Sequence, residues 1–445
     1  MLSRKGLLVL GVLACVAASC SSGTVTSPAG PVTEPPAVAN ACANSTPPPS
    51  RSAGAGRRAV VAKQPLRGLI DLGQVSADNM PEPPYNTIYF ACQRKASISG
   101  IVVNDTWESL QPGGEGAPLD TRTIDAALQT IAAYDQTQGR TLGVRLRVWA
   151  GINAPGWAKS IGGSPIAICD GTAVPASPPP SDVASPASPT PCPAAAIRTV
   201  GPFWSSAYES AWRNVQIQLA KKYDGNPIVN EVSVSSCSSL TSEPFVQPED
   251  AFSRRNMIAA GYTDALYQTC LANAIPLDYA IAWRSTIVDY SFNPLRKIDV
   301  TPPQTDLAFS EGVMRLCRKA LKARCALLDE ALAKFTPPPS PLPSQTPSTA
   351  QNYYAMWNYM ESLGGEITFQ TASPPNLLAA WGTNAGGWNA AIDLAHQFGA
   401  SSVELFPQKS TGSCTDPPSR LWVDGYTCFS AGTMLRWKSI IDGGS

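Results

Sequence analysis

From residue 63 onward the chain alternates between two hydrophobic rhythms. Short apolar runs, "RGLIDLG" (67–73), "ISGIVVND" (98–105), "LGVRLRVW" (142–149) and "NEVSVSS" (230–236), have the length and composition of strands. "LDYAIAW" (277–283), "RCALLD" (324–329), "EITFQT" (366–371) and "SSVELFP" (401–407) bring the count to eight, although "RCALLD" also suits a helix. Between them, "TRTIDAALQTIAAYDQT", "YESAWRNVQIQLAKKY" and "GGWNAAIDLAHQF" repeat apolar residues at helical spacing. A β-then-α order repeated about eight times predicts parallel strands joined by crossover helices. The expected fold is α/β, a (β/α)8 TIM barrel over residues 63–445, with an open doubly wound sheet as the alternative.

The rest of the chain has neither rhythm. Arg4 and Lys5 precede an apolar run from Gly6 to Ala18, followed by "AASCSS", the layout of an export signal peptide over residues 1–19. The run is too short to span a bilayer comfortably. It resembles the bacterial lipoprotein signal, which implies acylation of Cys20, since the hydrophilic "SSGTVTSPAG" follows at once; Cys15 is a second acceptor. Residues 20–62 are rich in Pro, Ala and Ser and predict a disordered tether. Two further Pro-rich tracts, 171–196 and 336–349, read as surface insertions. The expected location is extracytoplasmic, lipid-anchored to a bacterial cell membrane or secreted.

Charge and rare residues narrow the chemistry. Lys plus Arg equals Asp plus Glu at 33 each, so no net field favours nucleic acid, and a membrane would be met only through the lipid anchor. A monomer is expected. Ten cysteines remain beyond Cys15 and Cys20, an even number that favours disulfides in an exported chain, with Cys169–Cys192 and Cys414–Cys428 suggested by proximity. The one histidine, His396, sits on a predicted helix and reads as a packed structural residue. Histidine-dependent hydrolysis and the usual zinc or iron sites therefore lack support, and neither metal nor cofactor is expected. Acid–base chemistry would fall to carboxyl groups.

Barrel enzymes place their chemistry where strands end and βα loops begin. Those ends offer Asp71; then Asn104, Asp105 and Trp107; then Arg147, Trp149, Asn153 and Trp157. The fourth leads to Glu243, the fifth to Trp283, the seventh to Gln370 and the eighth to Glu404. Carboxylates, amides and tryptophans suit a carbohydrate, whose C–H faces pack on aromatic rings and whose hydroxyls need polar partners. Glycosidic cleavage needs two carboxyl groups and no histidine or metal.

In order, "GIVVNDTWESLQP", "VRLRVWAGINAPGWAK" and "VNEVSVSSCSSLTSEPF" resemble the clan A type of (β/α)8 glycoside hydrolase, a resemblance that spans most of the chain from Gly68 to Pro407. It implies that Glu243 is the general acid/base, with Ser242 standing where the clan usually has Asn. The clan's nucleophile is a Glu ending strand seven; here Glu366 opens that strand and Gln370 stands at its far end. Glu404 is the best remaining carboxylate, on strand eight. The implied function is an extracytoplasmic glycosidase that cleaves a poly- or oligosaccharide through Glu243 and Glu404. The alternative is an inactive barrel that binds carbohydrate or cell-wall glycan.

Overall fold

A computed structural model describes residues 61–72, 97–138, 142–170, 192–246, 250–332, 349–372, 384–406 and 429–443. The signal segment, Cys20, Cys414, Cys428, nearly all of the tether and most of both Pro-rich tracts lie outside these residues. Eight parallel strands close a barrel in chain order. They are β1 (Gly68–Asp71), β2 (Ile98–Thr106), β3 (Gly143–Trp149), β4 (Val229–Ser233), β5 (Ile287–Ser291), β6 (Cys325–Leu332), β7 (Glu366–Thr371) and β8 (Ser402–Leu405). The doubly wound alternative is excluded, because β8 pairs with β1.

Crossover helices cover the outside. α1 (Arg122–Gln138) precedes β3, α2 (Ser206–Tyr223) precedes β4, and α3 (Ala251–Ala259) and α4 (Asp264–Asn273) precede β5. α5 (Leu307–Leu321), α6 (Thr349–Ser362) and α7 (Asn384–Gln397) lead to β6, β7 and β8, and α8 (Ala431–Ile441) follows. α2 shows why such segments form. Ser205 caps its start by accepting from Tyr208 N, Glu209 lies in its first turn, and Lys221 and Lys222 lie in its last, each matched to the helix dipole. Its buried residues, among them Tyr208, Trp212, Val215 and Leu219, recur every three or four positions and pack on the strands.

One strand was misplaced by its sequence. Residues 274–279 form a π-helical turn and Ala280–Ala282 a short helix, so "LDYAIAW" is not strand five. The spacing explains it: Ile275, Tyr279 and Trp283, four apart, are each fully buried, whereas Leu277 and Ile281 are exposed. The true β5, "IVDYS", carries Asp289 in mid-strand, which hid it among charged loops. β6, the ambiguous run, is a strand and extends beyond "RCALLD" through Glu330 to Leu332. His396 is exposed on α7, contrary to a packed role.

Three disulfides brace the described residues: Cys169–Cys192, Cys237–Cys270 and Cys317–Cys325. The first closes an antiparallel ribbon, Ile166–Cys169 against Ile197–Val200, whose strands are joined by the Pro-rich tract. No helix among the described residues is long and apolar enough to cross a membrane.

Candidate active site

Strand register decides which side chains enter the barrel. Glu404 lies beside Gln370 on one side and Ile70 on the other, and Asn104 beside Arg147. Side chains alternate, so Asp71 and Asp105, one residue past Ile70 and Asn104, face the outer layer. Both are buried there, and burial lifts Asp105 to about 6 against hydrogen bonds from Thr106 N and Ser109. Neither belongs to the interior site expected of it.

Three of the tryptophans are also elsewhere. Trp107 is fully buried against Trp157, Tyr208 and Trp212, with ring centroids 5.1–5.5 Å away, and donates to Gln111 Oε1. Trp157 donates to Gln111 O. Trp283 precedes β5, at the opposite end of the barrel from the βα loops, and donates to Gln216 Oε1 at 3.1 Å. These rings build the layer between strands and helices, where a large apolar side chain contributes about 1.5–3 kcal/mol. Trp149 does face inward, donating to Asn104 Oδ1 at 2.9 Å, while the Asn104 amide donates to Leu72 O. Asn153 follows in the turn Gly151–Asn153, 1% exposed, with no hydrogen-bond partner for either amide atom among the described residues.

The barrel interior has two sides. Leu66, Ile70, Leu72 and Val102, with Phe406, make an apolar lining near β1, β2 and β8. From β3, beside β2, Arg145 and Arg147 supply the charged side, both buried. Arg145 reaches Glu231 at 2.5 Å and Asp289 at 3.0 Å, and it also pairs with Glu404. Arg147 holds Glu404 at 2.8 and 3.0 Å and Gln370 Oε1 at 3.3 Å. Glu404 is thus clamped between two guanidinium groups with no exposed side-chain surface. Asp289 is pushed up to about 8, first by burial and then by Glu231 and Glu404, with Arg145 opposing.

Glu243 sits ten residues past β4, at the mouth, and is only half-buried. Its loop is anchored before it arrives. The Cys237–Cys270 bond ties the loop to α4, Ser235 N donates to Tyr279 Oη, and Ser236 Oγ donates to Asp278 Oδ2. Gly151, at φ +57°, packs so closely on Ser239 that a Cβ would lie 2.1 Å from its carbonyl oxygen; Ile152 N donates to that oxygen. The serines of "SVSSCSS" are therefore a framework for the loop, a use that small hydroxyl side chains allow.

The expected partner of Glu243 was Glu404, but the carboxyl group beside it is that of Glu330. Glu330 emerges from β6 where the ladder to β7 gains a residue between Asp329 and Leu332, a bulge of the kind found beside active sites. Glu243 and Glu330 lie near enough for each to shift the other's protonation, and Glu330 also lies 3.7 Å from Arg147. Two neighbouring carboxyl groups favour keeping a proton, because both cannot ionise cheaply. Burial raises Glu243 to about 7; the Asn293 amide, Arg147 and Glu330 hold it down, and Asp329 adds to the rise. Glu330 is raised well above the usual range by burial, Glu243 and Glu404, against Arg147 and Arg145.

Asn293, just past β5, donates to Glu243 Oε2 at 2.5 Å and accepts from Tyr353 Oη of α6 at 2.7 Å. Glu330, Asn293, Asp289 and Tyr353 were absent from the candidates read in the sequence. Continuing the alternation of "CALLDEAL" by two residues would have brought in Glu330; the other three depended on finding β5 and the approach of α6. Among the described residues, no group of three or more His, Cys, Asp or Glu side chains is arranged to hold a metal ion.

No protein-family model matches the sequence, and no curated protein matches it. Solved structures do share its chain path. The catalytic domain of a β-amylase from Paenibacillus polymyxa is 11% identical, covering 77% of this chain and 92% of its own, at a TM-score of 0.46. An endo-glycoceramidase II from Rhodococcus sp. is 15% identical, with 78% and 76% covered and a TM-score of 0.39. An endoglucanase from Pseudomonas stutzeri is 11% identical, with 85% and 95% covered and a TM-score of 0.43. At these scores the likeness carries no residue roles over to this chain.

Proposed function

We propose that the protein is an extracytoplasmic glycoside hydrolase in which Glu243 and Glu330 are the paired carboxyl groups. The observation that carries this reading is the placement of two neighbouring carboxyl groups at the mouth of the barrel, Glu330 beside Arg147 and Glu243 held by the Asn293 amide. Such a pair supplies one acid and one base without a metal. A retaining pair stands roughly 5–5.5 Å apart, and an entering sugar would hold the two groups at such a separation. Separation removes the influence of Glu243 on Glu330, and Arg147 and Arg145 then favour the ionised form against burial and Glu404. Glu330 then attacks the anomeric carbon or activates water, and Glu243, raised to about 7 and partly open to solvent, protonates the leaving oxygen. Trp149, Asn104, Asn153 and Gln370 are suited to bind the sugar. Glu404, held by both arginines, takes a supporting place.

Wild type, Glu243→Gln and Glu330→Gln assayed on a panel of glycans test the reading. Wild-type turnover that falls about 100- to 10,000-fold in each variant supports it. Glycan retention with no product from wild type would instead identify a binding protein. Three disulfides favour an oxidising compartment. We place the chain at the cell surface through a lipid on Cys20, as a monomer; Cys20→Ser should release it into the medium, and light scattering gives the mass.

A further inference from the structure

We propose that Asn293 and Tyr353 are positioning residues for Glu243: Tyr353 orients the Asn293 amide, and the amide aims one Glu243 oxygen while the rest of the carboxyl group meets Glu330. An amide side chain can present either end to a neighbour. Here Tyr353 Oη donates to Asn293 Oδ1, which leaves the NH₂ end to donate to Glu243 Oε2. A carboxylate can only accept, so the reversed amide would oppose oxygen to oxygen. The backbone at Asn293 is held independently, because Ser310 Oγ donates to Asn293 O and accepts from Leu295 N. The side-chain relay can therefore be changed without releasing the chain beneath it.

The relay matters because the surroundings of Glu243 pull in both directions. Glu330 and Asp329 of β6, Arg147 of β3 and Tyr267 of α4 all act on it electrostatically, Asp329 from the helix side where it meets Trp357. The Asn293 donor favours the ionised form of Glu243 and offsets part of its burial. Losing it shifts proton release to higher pH. This inference rests on Glu243 as the acid of the proposed reaction, but its test does not need turnover.

The experiment is a carboxyl ¹³C titration of the full chain labelled at glutamate, with the Glu243 signal identified by its loss in Glu243→Gln. Asn293→Ala should raise the Glu243 midpoint by about one pH unit, and Tyr353→Phe should raise it by a smaller amount in the same direction. If both variants fold and the midpoint stays put or falls, the proposal is overturned. If Asn293→Ala does not fold, the near-isosteric Tyr353→Phe decides alone by the same criterion. A shifted midpoint in a protein that cleaves no glycan would uphold the relay and remove the hydrolase reading. An unshifted midpoint in an active enzyme would do the reverse.

Discussion

The middle of the barrel and its mouth are both built from carboxyl groups around Arg147, yet they are different kinds of structure. In the middle, Glu404 and Glu231 meet guanidinium groups at ion-pair distance, and every partner is buried. At the mouth, Glu330 stands 3.7 Å from a guanidinium already engaged by Glu404 and meets a second carboxyl group instead. Five carboxyl groups, Glu231, Glu243, Asp289, Glu330 and Glu404, thus surround two arginines. The excess favours protonated carboxyl groups, and burial and neighbouring carboxyl groups raise Asp289, Glu243 and Glu330 accordingly. Matched charge makes a scaffold, and unmatched charge leaves a proton available for chemistry.

Substitutions can break or sharpen this contrast. Arg145→Leu strikes the middle hardest, leaving Glu231, Asp289 and Glu404 facing one another, and should cost about 3–5 kcal/mol in urea unfolding. A loss below about 1 kcal/mol would mean that the column is not a scaffold. Glu404→Gln should likewise cost about 3 kcal/mol, by opposing an amide to two guanidinium groups. Glu330→Gln, by contrast, should change stability by less than about 1 kcal/mol while abolishing most hydrolysis. Equal effects at the two positions would erase the distinction.

The pH dependence gives a finer test. Native Asp289 holds its proton to about 8, whereas an unfolded aspartate loses it near 3.8. The folded state binds more protons across that window, so this group's contribution to stability declines as pH rises through it. Asp289→Asn removes the decline, and its unfolding midpoint relative to wild type should climb steadily between those pH values. The smallest effect is expected at Ser233, whose hydroxyl accepts from Arg147 Nε and donates to Asp289 Oδ2, each at 3.3 Å, joining the two levels. Ser233→Ala should cost about 1 kcal/mol, measured by the same unfolding.

Most of the barrel was legible because apolar strands bounded by polar loops are a local signal. The failure at strand five is as instructive as the successes. Its true strand contains Asp289, which a hydrophobic reading rejects and which Arg145, arriving from β3, and the Ser233 hydroxyl of β4 accommodate in a barrel interior. The decoy "LDYAIAW" is apolar enough for a strand, but its buried members fall on one helical stripe.

Glu243 could be read from the sequence, because a carboxylate after a strand and before a proline is a local feature. Its partner could not. By itself the sequence determined the alternation of strands and helices, the scarcity of histidine and the dependence on carboxyl groups. The tertiary structure decided which carboxyl groups meet. Glu243 and Glu330 are 87 residues apart, and strand pleat, a one-residue bulge and a loop held by Cys237–Cys270 bring them together. Side-chain direction reverses at every residue of a strand, so the choice among Glu330, Glu404, Asp71 and Asp105 rested on register, which is set between strands and not within them.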